Sequence, residues 1–309
     1  RTSFGYLGYK DAKNRKDILA RVLSKRSIRD AEGILREIVV SLCKSFEAME
    51  RQPIDLFYAF RCMSIDIITC QFLEFAVPVP YTYYGIALCF GNSVNAVYAP
   101  DHEAPIILAM DASLPVLVRF KHAAWYKNMI IHCPPTLSKI ISPEIAGLVD
   151  LQQALKKQIS DATSNPGSLK KLPHSSTIYN QLLDPENYGQ EVQALMFGCA
   201  DATGTTLMRA SFYILTMPDV YKKLKAEPQY AWPNLDLPPS FATLERPPYL
   251  VSYWPCMIIT RVASPLRRVV LPAGATLGET FEPGTVVEMS SHFFHRSEEV
   301  FQDSSAFQS

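Results

Sequence analysis

Residues 191–215, EVQALMFGCADATGTTLMRASFYIL, make a long apolar run without proline, and the rest of the chain has to cover it. Ala194, Leu195, Met196, Leu207 and Met208 are good helix formers, so the run reads as one buried helix. Its centre departs from a plain core helix. Gly198, Cys199, Ala200, Asp201, Ala202, Thr203, Gly204, Thr205 and Thr206 put small side chains, hydroxyls and one carboxylate where bulk is expected. Small residues let something flat or rigid approach the backbone, and hydroxyls there can bond back to preceding carbonyls and distort the helix. Two readings follow: a tight helix–helix crossing with Asp201 paired to an arginine, or a platform for a flat ligand. Taken alone, the segment favours the crossing.

The composition supplies enough cover. With 309 residues, 48% hydrophobic and 19% charged, the chain suits one large globular unit or two ordinary ones. Thirty basic side chains balance thirty acidic ones, which argues against a general nucleic-acid or acidic-lipid binder. Cys43, Cys62, Cys70, Cys89, Cys133, Cys199 and Cys256 are scattered, without a Cys-x-x-Cys pair or a histidine at zinc spacing, so reduced and mostly buried thiols are expected. No run approaches the length of a bilayer span, and no charged-then-apolar leader follows Arg1. The chain does not begin with Met and is expected to lack its natural start.

In order, residues 9–26 are densely basic, which admits a solvated helix face or a set of cations for an anionic ligand. Residues 26–51 form an amphipathic helix with Ile28, Ile34, Leu35, Ile38, Val39, Leu42, Phe46 and Met49 on one apolar stripe. Residues 56–75 read as a largely buried helix with Asp66 as an interior acid, ended by the VPVP of 77–80. Residues 84–97 and 106–120 suit helices, and the aromatic-rich 122–131 either lines a pocket or packs. His122 and His132 lack partners at ligand spacing and are expected to be ordinary, partly buried histidines. Residues 148–162 are amphipathic, and 163–177 form a polar surface loop. Met217-Pro218-Asp219 closes the organising helix and opens a short one over 220–227. A proline-rich connector follows at 228–239. From Leu266 strands are expected at 268–271, 275–281 and 285–290, with turns at Pro272-Ala273-Gly274 and Pro283-Gly284. The fold class is mainly α with a small β-sheet (α+β).

Several of these stretches, in this order, resemble a fungal cytochrome P-450, a haem-thiolate monooxygenase. The FGCADATGTT of residues 197–206 matches the family's central distal helix, A/G-G-x-D/E-T-T/S. Pro218, Tyr221, Lys223, Leu224 and Glu227 follow the P-x-x-Y-x-K-L-x-x-E of the next helix, and LERPPYL at 244–250 resembles the L-E-x-L-P-Y-L that leads into another. Arg268-Val269-Val270, Pro272-Ala273-Gly274, Pro283-Gly284-Thr285-Val286-Val287, Met289-Ser290-Ser291 and His295-Arg296 track the family's sheet and the turn before its haem loop. Residues 60–69 and Ser24-Lys25-Arg26-Ser27-Ile28 look similar too, so the resemblance covers nearly the whole chain.

The resemblance implies an incomplete cytochrome P-450-like fold built around a long central distal helix. One incomplete catalytic-type domain would span 1–309, with a helical body over 1–227 and a connector, a degenerate helix and a small sheet over 228–309. It implies a haem cofactor with its iron, an apolar small-molecule substrate that is hydroxylated or otherwise oxidised in the manner of fungal secondary metabolism, and an NADPH-dependent reductase as electron donor. No nucleic-acid partner and no membrane span in this chain are expected. The intact family member would be intracellular, anchored to the endoplasmic reticulum membrane.

Site residues follow from the same resemblance. Asp201 matches the acid that, with the next threonine, manages proton delivery on the distal side of the haem. Ala202 stands at that next position and Thr203 comes one residue later. One residue turns a helix by about a quarter-turn, so Thr203 is expected to project elsewhere. Gly198 and Ala200 would give the flat cofactor room. Arg15 falls where a His/Trp-x-x-Arg motif sets a cation near a haem propionate, with Ala12 in place of the His or aromatic. Arg268 matches a second propionate-binding position. Guanidinium–carboxylate pairing is the physical reason for both, and a surface or structural arginine is the alternative.

Two departures bear on activity. The family's buried Glu-x-x-Arg pair should follow Leu250, but residues 251–262 read VSYWPCMIITRV; Arg261 suits the arginine, Ile258 replaces the acid, and Pro255 interrupts the helix. Removing one member of a buried pair costs roughly 3–5 kcal/mol and an interior proline about 3 more; a local sequence error and real divergence both fit. Secondly, the sequence stops at Ser309, before the F-x-x-G-x-R-x-C-x-G loop whose thiolate binds the haem iron, and none of the seven cysteines lies in such a context. No metal ligand is identified, and the chain as it stands is expected not to catalyse the reaction. The alternative is a non-catalytic helical remnant that binds apolar ligands or a protein partner. An all-helical isoprenoid enzyme would need clustered acids for magnesium, which no helix carries.

Overall fold

The computed structural model describes residues 32–70, 95–134, 185–232, 239–251, 266–270, 274–277, 279–289 and 297–300, together with scattered positions outside these ranges. Arg15, most of 148–162, the loop 163–177 and the degenerate helix beyond 251 lie outside the described residues. The chain divides into two compact units, Arg1–Gly5 with Lys13–Gly204, and Tyr6–Ala12 with Thr205–Ser309.

In the first unit, helix α1 (Glu32–Ala48) buries Ile38 and Leu42, one turn apart, while Val39 remains 44% exposed at the edge of the expected stripe. Helix α2 (Leu56–Cys70) is capped by Asp55, whose Oδ1 accepts the amides of Phe57 at 2.8 Å and Tyr58 at 3.3 Å. It is buried over most of its length: Ala59, Cys62, Met63, Ile65 and Ile68 pack, and Arg61, Ser64 and Asp66 are buried with them. Asp66 is the interior acid expected. Its two oxygens accept the amides of Ala96 and Val97, each at 2.9 Å, which fixes the 3-10 turns Ala96–Tyr98 and Pro100–His102 against α2. The described end of the helix expected over 84–97 is therefore a 3-10 turn, entered through Asn95 at φ 52°.

His102, at the end of these turns, is 2% exposed. Ser45 Oγ lies 2.8 Å from the Leu42 carbonyl, to which it can donate, and 3.0 Å from His102 Nε2, a contact whose donor depends on the imidazole tautomer. Nδ1 is buried without a hydrogen-bond partner. Burial holds this histidine's pKa below its ordinary value.

Helix α3 (Pro105–His122) covers the expected 106–120 and is followed by α4 (Ala124–His132). Val116, Ile130 and Ile145 form a small core with Phe120 and Tyr126, whereas Trp125 is 71% exposed, so the aromatic segment packs on one side only. His122 and His132 are exposed rather than partly buried; His132 Nδ1 lies 2.7 Å from its own helix, at the Asn128 carbonyl. Helix α5 (Pro185–Thr216) contains the expected 191–215 and begins earlier, opening with proline in its first turn. The described positions Lys10, Lys13 and Lys25 of the basic run are exposed, and Lys13 pairs with Asp17 at 2.8 Å.

In the second unit, the Met217 amide closes α5 on the Tyr213 carbonyl at 2.9 Å, and Pro218 opens helix α6 (Pro218–Ala231). Here α6 passes through Pro228, beyond the expected end at 227, because a proline in the last turn removes only one hydrogen bond. Ala210 and Val220 pack with Tyr213, Ile214 and Leu224. Glu227 accepts the amides of Tyr249 and Leu250 at 2.9 and 2.8 Å, holding the start of the helical turn over 248–251. Ser240 caps the short α7 (Phe241–Leu244) through the Thr243 amide.

Strands β1 (Leu266–Val269) and β4 (Val286–Met289) pair antiparallel, with Arg268 opposite Val287. The Thr285 amide bonds back to the Glu282 carbonyl at 3.1 Å and Gly284 takes φ +86°, the proline–glycine turn expected there. The single strand expected over 275–281 is instead two, β2 (Ala275–Leu277) and β3 (Glu279–Phe281), paired antiparallel; a glycine, Gly278, stands between them. Among the described residues the strands thus form two separate pairs. Among the described residues no helix is long and apolar enough to cross a membrane.

Because Asp66 satisfies two buried amides at once, Asp66→Ala is expected to cost roughly 2–5 kcal/mol in urea unfolding, and Asp66→Asn, which keeps one acceptor, less.

Candidate functional site on the long helix

Around Gly198 to Gly204 the small residues of α5 divide into two sets. At about 100° per residue, Gly198 and Ala202 fall within about 40° of each other and Ala200 about 160° away. Gly198 and Ala202 are exposed, and nothing lies within 4 Å of where a Cβ on Gly198 would stand. Ala200 is fully buried and does not share that open face. Thr203 is half-buried, about a quarter-turn from Ala202.

The buried side is a crossing with α2. A Cβ on Gly204 would stand 2.5 Å from Arg61 Cγ and 3.3 Å from the Arg61 backbone nitrogen, so only glycine lets the two helices come this close. Ser64 Oγ donates to the Cys199 carbonyl at 2.9 Å and ties α2 to α5 a turn and a half away. Crossing and open platform, the two readings of this segment, therefore apply to different residues of one helix.

Asp201 sits between the two sets. Its Oδ1 lies 2.8 Å from Nη2 of Arg61, whose side chain is wholly buried, while about a third of the Asp201 side chain is exposed. The contact is close but not aligned as a hydrogen bond, and Oδ1 has no hydrogen-bond donor. Arg61 also meets Asp111 of α3, with Nη1 to Oδ2 at 2.9 Å and Nη2 to Oδ1 at 2.7 Å. Burial by itself would lower the pKa of the guanidinium; the hydrogen bonds to Asp111 and the charges of both carboxylates outweigh it and hold the pKa of Arg61 above its ordinary value. For Asp201 the balance goes the other way: burial pushes its carboxyl above the usual range despite the pull of Arg61, and Asp111 pushes further.

Arg61 and Asp111 are not among the residues that the sequence singles out. A signal for Arg61 exists in retrospect, a lone guanidinium inside LFYAFRCMSIDIITC, but no local spacing points from it to Asp111 or Asp201. Gly198, Ala200, Asp201 and Thr203 share one stretch of α5. Arg268 belongs to β1 in the second unit.

The division of the small residues predicts opposite outcomes for one substitution at two sites. Gly204→Ala is expected to lose about 1–3 kcal/mol of stability through overpacking, and Gly198→Ala to gain about 0.5–1 kcal/mol from helix propensity, both read by chemical denaturation. Burial pushes the thiols of Cys62 and Cys199 up to about 11 from 9.0, leaving roughly 100-fold less thiolate at neutral pH than an ordinary thiol. Iodoacetamide mapping by mass spectrometry should label exposed Cys43 first, with Cys62 and Cys199 following only as the pH approaches that value.

No protein-family model matches the chain. Curated proteins do. It is 23% identical to the cytochrome P450 monooxygenase flvC of Aspergillus flavus over 97% of this chain and 55% of that protein. It is 24% identical to the N-acetyltryptophan 6-hydroxylase ivoC of Emericella nidulans over 97% and 58%, and 23% identical to the cytochrome P450 monooxygenase tpcC of Cochliobolus heterostrophus over 98% and 58%. The chain thus spans a little over half the length of the curated relatives it matches. Among solved structures, the cytochrome P450 CYP102L1 superposes with a TM-score of 0.70 at 17% identity, over 99% of this chain and 64% of that one. The cytochrome P450DA haem domain superposes at 0.68 and 14% identity, over 94% and 59%. Along most of its length the chain is thus similar to fungal proteins named as cytochrome P450 monooxygenases, and it shares the cytochrome P450 fold.

Proposed function

We propose that the chain is the helical core of a haem-dependent monooxygenase that hydroxylates or otherwise oxidises an apolar small molecule. The observation that carries this reading is the open, small-residue face at Gly198 and Ala202 beside a partly exposed carboxylate, Asp201. A flat macrocycle fits such a face, because no side chain stands out from it at Gly198 and only a methyl group at Ala202.

Bound haem would supply the oxygen and electron chemistry, with electrons from an NADPH-dependent reductase. The chain supplies position and protons. Gly198 and Ala202 admit the cofactor plane, and Arg268 and Arg15 are assigned to its propionates through guanidinium–carboxylate pairing. Asp201 holds and releases a proton at its carboxylate, for which a pKa pushed above the usual range brings it nearer to neutral pH. Ala202 offers no hydroxyl, so a proton passing beyond Asp201 depends on Thr203 or on water. Ala200, buried, supports the helix rather than the cofactor. None of the seven cysteines is assigned as the iron ligand.

The test is the carbon-monoxide difference spectrum of the reduced protein expressed from the whole reading frame that contains this sequence. A thiolate-type Soret band is expected, and a folded protein that takes up no haem would contradict the proposal. In the active protein, Asp201→Asn is expected to lower turnover by roughly 10²-fold, the scale of a lost proton-transfer group.

A further inference from the structure

Asp201 shares Arg61 with Asp111, and the two carboxylates hold it in different ways. Asp111 takes both terminal nitrogens in a fork with two aligned hydrogen bonds, at 2.9 and 2.7 Å. Asp201 has one contact of 2.8 Å, out of line, on an oxygen without a hydrogen-bond donor. The fork matches the planar geometry of a guanidinium and neutralises it unaided. The Phe57 ring lies 4.8 Å and the Tyr58 ring 5.9 Å from the guanidinium carbon, so the cation is also held by aromatic faces.

We propose that Asp111 is a positioning residue: it anchors Arg61 so that Asp201 is the partner free to rotate or take up a proton without unpairing the buried cation. This rests on the reading of Asp201 as the proton-handling acid. Were Asp201 the sole counter-ion, each protonation would leave Arg61 buried and uncompensated. Among the described residues, the charged and titratable groups acting on Asp201 are Arg61 and Asp111, with Tyr58 beside Asp111. Burial raises the Asp201 carboxyl although Arg61 pulls it down, and the charge of Asp111 adds to the rise.

The experiment is a carbon-13 titration of aspartate carboxyls in the 309-residue chain, with the Asp201 signal identified by its loss in Asp201→Asn. In Asp111→Asn, Asp201 inherits the whole charge of Arg61 and escapes the repulsion of Asp111, so its midpoint should fall by about one pH unit or more. Asp111→Glu should return it toward the original value. A midpoint that stays or rises in Asp111→Asn overturns the proposal. Should Asp111→Asn fail to fold, Asp201→Asn decides: a folded chain with unmoved Arg61 side-chain signals supports the anchor, and equal failure to fold overturns it. No haem enters the titration, so a missing Soret band in the full reading frame would sink the monooxygenase reading and leave this result standing.

Discussion

The charge buried on Arg61 is the constraint that organises the first unit. An uncompensated guanidinium in a protein interior carries a desolvation penalty of several kcal/mol, so α2 cannot be buried unless anions come to it. Asp111 from α3 and Asp201 from α5 both do. Three helices are thereby required to meet at one point, and the glycine at 204 follows from that requirement, since the arginine stem and backbone pass where a side chain would otherwise stand. The odd composition of the α5 centre is the combined result of two demands, close approach on one side and an open face on the other.

Elsewhere the chain uses carboxylates in a related way. Asp66 and Glu227 each accept two backbone amides from a segment distant in sequence. In both, a charged acceptor holds the start of a turn, and the turn at Ala96–Tyr98 has no side-chain cap of its own. Asp66, Asp111 and Glu227 are thus satisfied by aligned donors, whereas the contact of Asp201 is short but unaligned. Counting ion pairs alone would not show that difference.

Much of the fold was legible in the sequence because it depends on local pattern. The long helix follows from an apolar, proline-free run, its end from Met217-Pro218, and the tight turn from Pro283-Gly284. Asp66 was readable as an interior acid because its neighbours are apolar on all sides. Other features depend on tertiary context. Ala200 and Ala202 are the same residue type two positions apart, and only the placement of α2 decides which one is covered. The bond between Arg61 and Asp111 links residues 50 apart, a pairing that no periodicity encodes. Val39 belongs to an apolar stripe yet lies at its edge, and the 275–281 strand breaks into a hairpin where glycine removes the packing that would favour continuous pairing. The order of motifs pointed to the proteins that the chain is similar to, while the partners of Asp201 had to be found in three dimensions.

In the monooxygenase proposed above, the Gly198–Ala202 face of α5, and not its Ala200 side, would front the haem. Paramagnetic broadening by ferric haem tests it directly, in protein from the whole reading frame carrying carbon-13 alanine methyl groups. The methyl of Ala202 should be broadened far more strongly than that of Ala200, because broadening falls steeply with distance and the two point to opposite sides of the helix. Stronger broadening at Ala200, or none at either methyl in the haem-loaded protein, would contradict the account.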